Sequence, residues 1–165
     1  MAAPIPASPL FLREPEIRRG VELLYFGYSH LTRSIDEQLA AQGLGRAHHR
    51  ALYFIARKPG LSVSELLALL AITKQSLGRV LGELTERKLV ETTTDPNDRR
   101  RRMLRLTVSG AALEAQLFDA LRRKLSIAYS EAGHDAVSGF WAVLEELIPA
   151  EERTRIQKLW ERDRG

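Results

Sequence analysis

Apolar side chains recur between residues 17 and 39 at steps of three and four, through Ile17, Val21, Leu24, Tyr28, Leu31, Ile35 and Leu39. That spacing predicts one long amphipathic helix whose apolar stripe runs close to the coiled-coil period. Pro15 suits its first turn, and Gln42-Gly43 ends it. Such a helix spans roughly 40 Å at 1.5 Å per residue. A small domain cannot cover that stripe by itself, so a second long helix or a second chain is needed. Residues 46–57 predict another helix with Leu52, Ile55 and Ala56 inward, stopped by Pro59-Gly60. Ser62-Val63-Ser64-Glu65 has the form of a capping box opening a short helix through Leu70. A turn at Ala71-Ile72 then leads to Thr73, an N-cap for a helix over 74–87. Two short helices joined this way make a helix-turn-helix.

After residue 88 the period changes. Residues 89–94 are short and β-branched, 95–98 carry turn chemistry, and Leu104, Leu106 and Val108 alternate, which predicts a β-hairpin over 89–107. Thr107-x-x-Gly110 opens a long helix to about Ala132, with Leu113, Leu117, Leu121 and Leu125 at four-residue steps and Gly133 at its end. Residues 135–148 are amphipathic through Val137, Phe140, Trp141, Leu144, Leu147 and Ile148; Pro149 breaks them off. Ile156, Leu159 and Trp160 mark a final short helix, and prolines at 4, 6 and 9 leave residues 1–13 as a flexible N-terminal arm. The fold expected is mainly α with a small β-wing. A DNA-binding lobe would occupy 44–107, and a helical dimerisation region 14–43 and 108–165.

Charge sharpens that division. The net charge of +4 hides a lobe at 44–107 carrying +7 and a remainder carrying −3, and arginine supplies 20 of the 25 basic residues. Arginine presents a planar fork of donors suited to phosphates and guanine edges. Absence of cysteine removes disulfides, thiolate metal sites and thiol chemistry. The longest apolar run, Leu66 to Ile72, is too short for a bilayer span, and the first residues lack the basic start of a secretory signal. The expected compartment is the cytoplasm, with no membrane partner. No H-E-x-x-H, G-x-S-x-G or P-loop pattern occurs, so an enzyme is not expected, and no catalytic residue is assigned.

A helical wheel of residues 74–87 sets Leu77, Val80, Leu81 and Leu84 on one face. Gln75, Arg79, Gly82 and Glu86 lie opposite, with Gly78 and Glu83 at the margins. Two glycines on an exposed helix face cost about 1 kcal/mol each relative to alanine. Close approach to a groove wall would offset that. Gln75 can pair with adenine and Arg79 with guanine or phosphate, while Thr73, Lys74 and Ser76 sit where a first helical turn receives a phosphate. In the hairpin, Arg99, Arg100, Arg101 and Arg102 follow Asp98 without interruption, and a plain turn has no need of four adjacent like charges. They would project from a thin ribbon into a minor groove, with Asp98 holding one guanidinium in a bidentate pair.

The order of long helix, helix, helix-turn-helix, arginine hairpin and long helix resembles the MarR family of multiple antibiotic resistance regulators. The residues carrying the likeness are Asp98-Arg99-Arg100 and Leu106-Thr107-Val108-Ser109-Gly110, supported by residues 72–90. The resemblance implies a winged helix-turn-helix homodimer that binds double-stranded DNA at pseudo-palindromic operators, usually as a repressor. It places dimer contacts on the first and last helices, here Ile17, Val21, Leu24, Phe140, Trp141, Leu144, Ile156 and Trp160. It also implies a small anionic or aromatic effector between the dimer helices and the DNA lobe. Tyr25, Tyr28, His30, Arg33, His48, His49, Arg50 and Tyr53 are the lining expected in this chain. Having no cysteine, the chain cannot use the thiol mechanism of the family's organic-peroxide sensors. No cofactor is assigned. Adjacent His48 and His49 point about 100° apart on a helix and would need a third ligand to hold a metal, so no metal site is assigned either. The alternative function is an architectural protein that uses the wing without reading bases.

Overall fold

The computed structural model describes residues 9–160. Leu10–Leu12 form one exposed 3-10 turn, and residues 1–8 of the expected arm lie outside the described residues. The elements that follow are α1 (Glu14–Ala41), α2 (Arg46–Arg57), β1 (Leu61–Ser62), α3 (Val63–Leu70) and α4 (Lys74–Glu86). Then come β2 (Val90–Thr94), β3 (Arg102–Leu106), α5 (Val108–Ala132), α6 (His134–Leu147) and α7 (Ala150–Trp160). The strands form an antiparallel sheet in the order β1-β3-β2, with Thr92 opposite Leu104 and Leu61 opposite Leu104 on its other side. The hairpin is therefore β2 and β3, and β1 adds a short third strand that local pattern does not announce.

One core joins these elements. Ile35 and Leu39 of α1, Leu52 and Ile55 of α2, Leu66 of α3, Leu77 and Leu84 of α4, Leu104 of β3 and Leu117 of α5 are all buried in it. The apolar stripe of α1 divides in two. Its C-terminal half, at Ile35 and Leu39, is inside; its N-terminal half, at Ile17, Val21, Leu24 and Tyr28, is exposed in the single chain. The helix thus meets the core only over its last few turns, and its first half carries apolar side chains into solvent.

The wing is fastened at its base by a compact knot. Thr107 caps α5 by accepting the Gly110 N–H at 3.0 Å, and its hydroxyl donates to Lys88 O at 2.6 Å. Its backbone N–H donates to Leu89 O at 3.1 Å. A Cβ at Gly110 would stand 1.9 Å from that same Leu89 oxygen, so no other residue fits there without movement of the backbone.

The helix-turn-helix turn stores a small strain. Ala71 closes α3 in the left-handed region, at φ 50°, which costs a residue with a Cβ about 1–2 kcal/mol. Ala71→Gly is expected to relieve that cost while gaining unfolded-state freedom, for a net stabilisation of about 0.5–1 kcal/mol in urea denaturation. An unchanged or lower midpoint would contradict it.

The last helix, marked in the sequence by Ile156, Leu159 and Trp160, is α7, and it lies against its own chain. Ile156 and Leu159 line a groove with Phe54, Ala68 and Leu69 of α2 and α3, and Arg57 donates to Leu159 O at 2.7 Å. Ile156, expected at a dimer contact, is half-buried and faces α2 and α3 of its own chain. An amphipathic stripe says that a helix has a partner without saying which. Trp160 closes α7, and its side chain lies outside those described.

Candidate nucleic-acid interface

Helix α4 presents the face that its sequence predicts. Leu77, Val80 and Leu84 are buried beneath it, while Lys74, Gln75, Gly78, Arg79 and Gly82 face outward. An added Cβ at Gly78 or Gly82 would meet nothing within 4 Å, so neither glycine is required by the packing of its own chain. Thr73 caps the helix, accepting the Ser76 N–H at 3.1 Å and donating its hydroxyl to Ser76 Oγ at 2.8 Å. Those two hydroxyls are occupied with each other. Lys74, Gln75 and Arg79 make no side-chain hydrogen bond or ion pair among the described residues and remain available as donors.

The same helix is tied down at its other edge. Arg87 donates to Gln42 O, and to Gly43 O at 3.4 Å, joining the end of α4 to the α1–α2 turn. His48 of α2 reaches Glu83 of α4 at 2.5 Å.

The wing tip is shaped by backbone hydrogen bonds. Asp95 N–H donates to Arg101 O at 2.9 Å, and Asp95 Oδ1 accepts the Asn97 N–H at 2.8 Å. Asp98 Oδ1 accepts the Arg100 N–H at 3.0 Å. Asp98 therefore orders the backbone of the tip, not the Arg100 guanidinium as its spacing suggests; a short side chain two residues back reaches the amide more easily than the end of an arginine. Arg99, Arg100, Arg102 and Arg105 are exposed and make no ion pair among the described residues. Arg101 differs: it pairs with Glu65 at 3.2 Å and lies 4.0 Å from Asp95.

Glu65 is a residue at the foot of the wing that sequence reasoning catches only in part. As the third residue of α3 it accepts the Ser62 N–H at 2.8 Å, which its spacing predicts. It also pairs with Lys58 at 2.7 Å and receives Arg101 from the wing, contacts 7 and 36 residues away that no local pattern reveals. Burial pushes its carboxyl upward, but Lys58 and the Ser62 N–H and hydroxyl outweigh this and hold it at about 2, against an ordinary 4.5. The folded state thus binds the proton more weakly than the unfolded chain does. The stabilisation is complete above about pH 4.5 and is lost as pH falls toward 2. Glu65→Gln should flatten that part of the acid-unfolding curve; an acid limb identical to wild type would rule out the linkage.

A cleft of about 500 Å³ opens between α1, α2 and α5. Of the eight residues expected to line it, Tyr28, His49, Arg50 and Tyr53 do, joined by Thr32, Phe118, Arg122 and Tyr129, which the sequence did not single out. The Tyr53 ring lies 6.2 Å from His49 and 6.3 Å from Phe118. His49 is buried, its Nε2 has no partner among the described residues, and burial followed by the charge of Arg50 lowers its pKa. Tyr25, His30 and Arg33 are exposed on α1, and His48 is turned to α4. His30 and Arg33 fall on the far side of α1 from Tyr28. No group of three His, Asp or Glu able to hold a metal occurs among the described residues. Ile17, Val21 and Leu24 on α1 and Phe140 and Trp141 on α6 are apolar side chains left exposed, and Leu144 is half-buried.

Residues 42–101, which hold the helix-turn-helix and the wing tip, match a family model described as MarR family. The HTH-type transcriptional regulator PetP of Rhodobacter capsulatus is 43% identical over 157 residues, covering 95% of each chain. The chain is a member of the MarR family. Among solved structures, a mutant MarR from E.coli in complex with operator DNA superposes with a TM-score of 0.63 at 25% identity, covering 86% of this chain and 100% of that one. The PcaV transcriptional regulator of Streptomyces coelicolor, in complex with its natural ligand, gives a TM-score of 0.61 at 19% identity, covering 90% and 100%. As a MarR-family protein the chain is a DNA-binding transcription regulator built on a winged helix-turn-helix, and not an enzyme. None of the helices among its described residues is long and apolar enough to cross a membrane.

Proposed function

We propose that this MarR-family protein acts in the cytoplasm as a homodimeric repressor that reads a pseudo-palindromic operator. The observation that carries the reading is the pairing of two surfaces on one lobe. The outward face of α4 offers Lys74, Gln75 and Arg79 with no intrachain partner, and the neighbouring wing offers Arg99, Arg100 and Arg102 in the same condition. Helix donors reach base edges in a major groove, while wing guanidiniums follow the adjacent minor groove. Arg101, paired with Glu65 at 3.2 Å, also ties the ribbon to α3.

The exposed apolar side chains of α1 and α6 support a dimer, because a second copy would cover the half of the α1 stripe that this chain leaves in solvent. Two recognition helices would then lie about 34 Å apart, one DNA turn. The aromatic cleft beside α2 supports a small effector, with His49 as its polar anchor. Footprinting on the promoter region of the protein's own gene tests the reading: a protected dyad is expected. Salt-sensitive binding without a protected site would instead favour an architectural role.

A further inference from the structure

The side chain of His48 is fixed at both ring nitrogens. Its Nδ1 accepts the Gly45 N–H at 3.0 Å, satisfying a backbone donor at the start of α2. An accepting Nδ1 carries no proton, so the hydrogen sits on Nε2, which lies 2.5 Å from Glu83 Oε2 on α4. The ring is only 13% exposed, and Glu83 is 39% exposed. An exposed ion pair between two long, mobile side chains holds little. Here a rigid ring is clamped at one end to the frame of its own helix and at the other to the recognition helix. Glu83 lies on the margin of α4 between the buried row of Leu77, Val80 and Leu84 and the outward row of Gln75 and Arg79. A fixed point there acts with the buried row and with the Arg87 tie to the α1–α2 turn to set the rotation of α4 about its axis.

We propose that His48 is a positioning residue for operator recognition, which fixes the azimuth of α4 through Glu83 so that Gln75 and Arg79 meet base edges in register. The proposal rests on α4 being the helix that reads bases. It assigns no DNA contact to His48 and no ligand to it. A loosened α4 still brings the same cations to the phosphates, but it misplaces bidentate contacts that tolerate only small errors in direction.

The test compares binding of a duplex carrying the footprinted sequence with binding of a scrambled duplex of equal length, across a salt series. His48→Ala should lower the ratio of the two affinities about five- to tenfold, a size usual for coupled contacts. Affinity for the scrambled duplex and the salt slope should stay as in wild type, because no phosphate contact is lost. Glu83→Ala should give the same loss, and the double variant no further loss. His48→Gln should restore most of the ratio, since its amide can accept from Gly45 N–H and donate to Glu83. A merely structural histidine would change the melting temperature without moving the ratio measured well below it. An unchanged ratio in His48→Ala, or additive losses in the double variant, overturns the proposal. Should His48→Ala not fold, Glu83→Ala, made on the more exposed partner, carries the same comparison. A wild-type protein that does not discriminate the two duplexes would refute the reading of α4 itself and remove the proposal with it, an outcome seen before any variant is made.

Discussion

Gly110→Ala is expected to destabilise the protein by about 3 kcal/mol or more, combining a steric cost with lost hydrogen bonds. A methyl group there would stand 1.9 Å from Leu89 O and 2.8 Å from its carbonyl carbon, and backbone cannot swing aside as a side-chain tip does. The strain must be relieved by separating α5 from the start of β2. That movement pulls on the Thr107 N–H bond to Leu89 O and on the Thr107 hydroxyl bond to Lys88 O. Each such bond contributes about 1 kcal/mol, and a buried carbonyl left unpaired adds to the cost. Equilibrium urea unfolding measures the loss. A variant within about 0.5 kcal/mol of wild type would mean that α5 and the wing base are not in this contact. Thr107→Ala, which removes the cap and the Lys88 bond without the clash, should cost only about 1–2 kcal/mol.

The second large effect falls on DNA affinity. Arg100→Ala removes one exposed, unpaired cation from each wing, hence two from the proposed dimer. At about 0.9 per neutralised phosphate, the salt slope should fall in magnitude by roughly 2, with an affinity loss of about 10- to 100-fold at low salt. The loss should be similar for operator and scrambled duplexes, because a wing arginine follows groove potential more than base identity. Arg101→Ala is the matched contrast. Its guanidinium is already engaged by Glu65 at 3.2 Å, so the salt slope should hardly change while thermal stability falls slightly. Titrations of both variants at several salt concentrations decide the matter. Equal slopes for wild type and Arg100→Ala would remove that arginine from the interface.

Much of this was legible along the chain because it is local. Capping at Ser62, Thr73 and Thr107, the turn at residues 95–98 and the buried row of α4 all rest on partners within a few residues. What escaped was long-range. Strand β1 is two residues long and exists because Met103 and Leu104 pair with it, not through any propensity of Leu61 and Ser62. The even stripe of α1 conceals a change of surroundings between Tyr28 and Ile35, since periodicity records that a face is apolar and not what lies against it. The His48–His49 pair looked like one feature and is two: one ring serves α4, the other the cleft, because neighbouring helical residues point in different directions. Glycine 110 was visible as part of a motif, but its reason, the carbonyl of Leu89, lies 21 residues away.

The knot at Thr107 also has a mechanical meaning. Since Leu89 O both receives the Thr107 N–H and abuts Gly110, the base of the ribbon and the first turn of α5 are held directly against each other. Two five-residue strands make an arm about 17 Å long. A tilt of only about 5° at its root would carry the arginines at its end through about 1.5 Å, enough to take them out of hydrogen-bonding range. Helix α5 also walls the cleft, through Phe118, Arg122 and Tyr129. The same helix thus carries the wall of the cleft at one end and the footing of the fingertip's ribbon at the other.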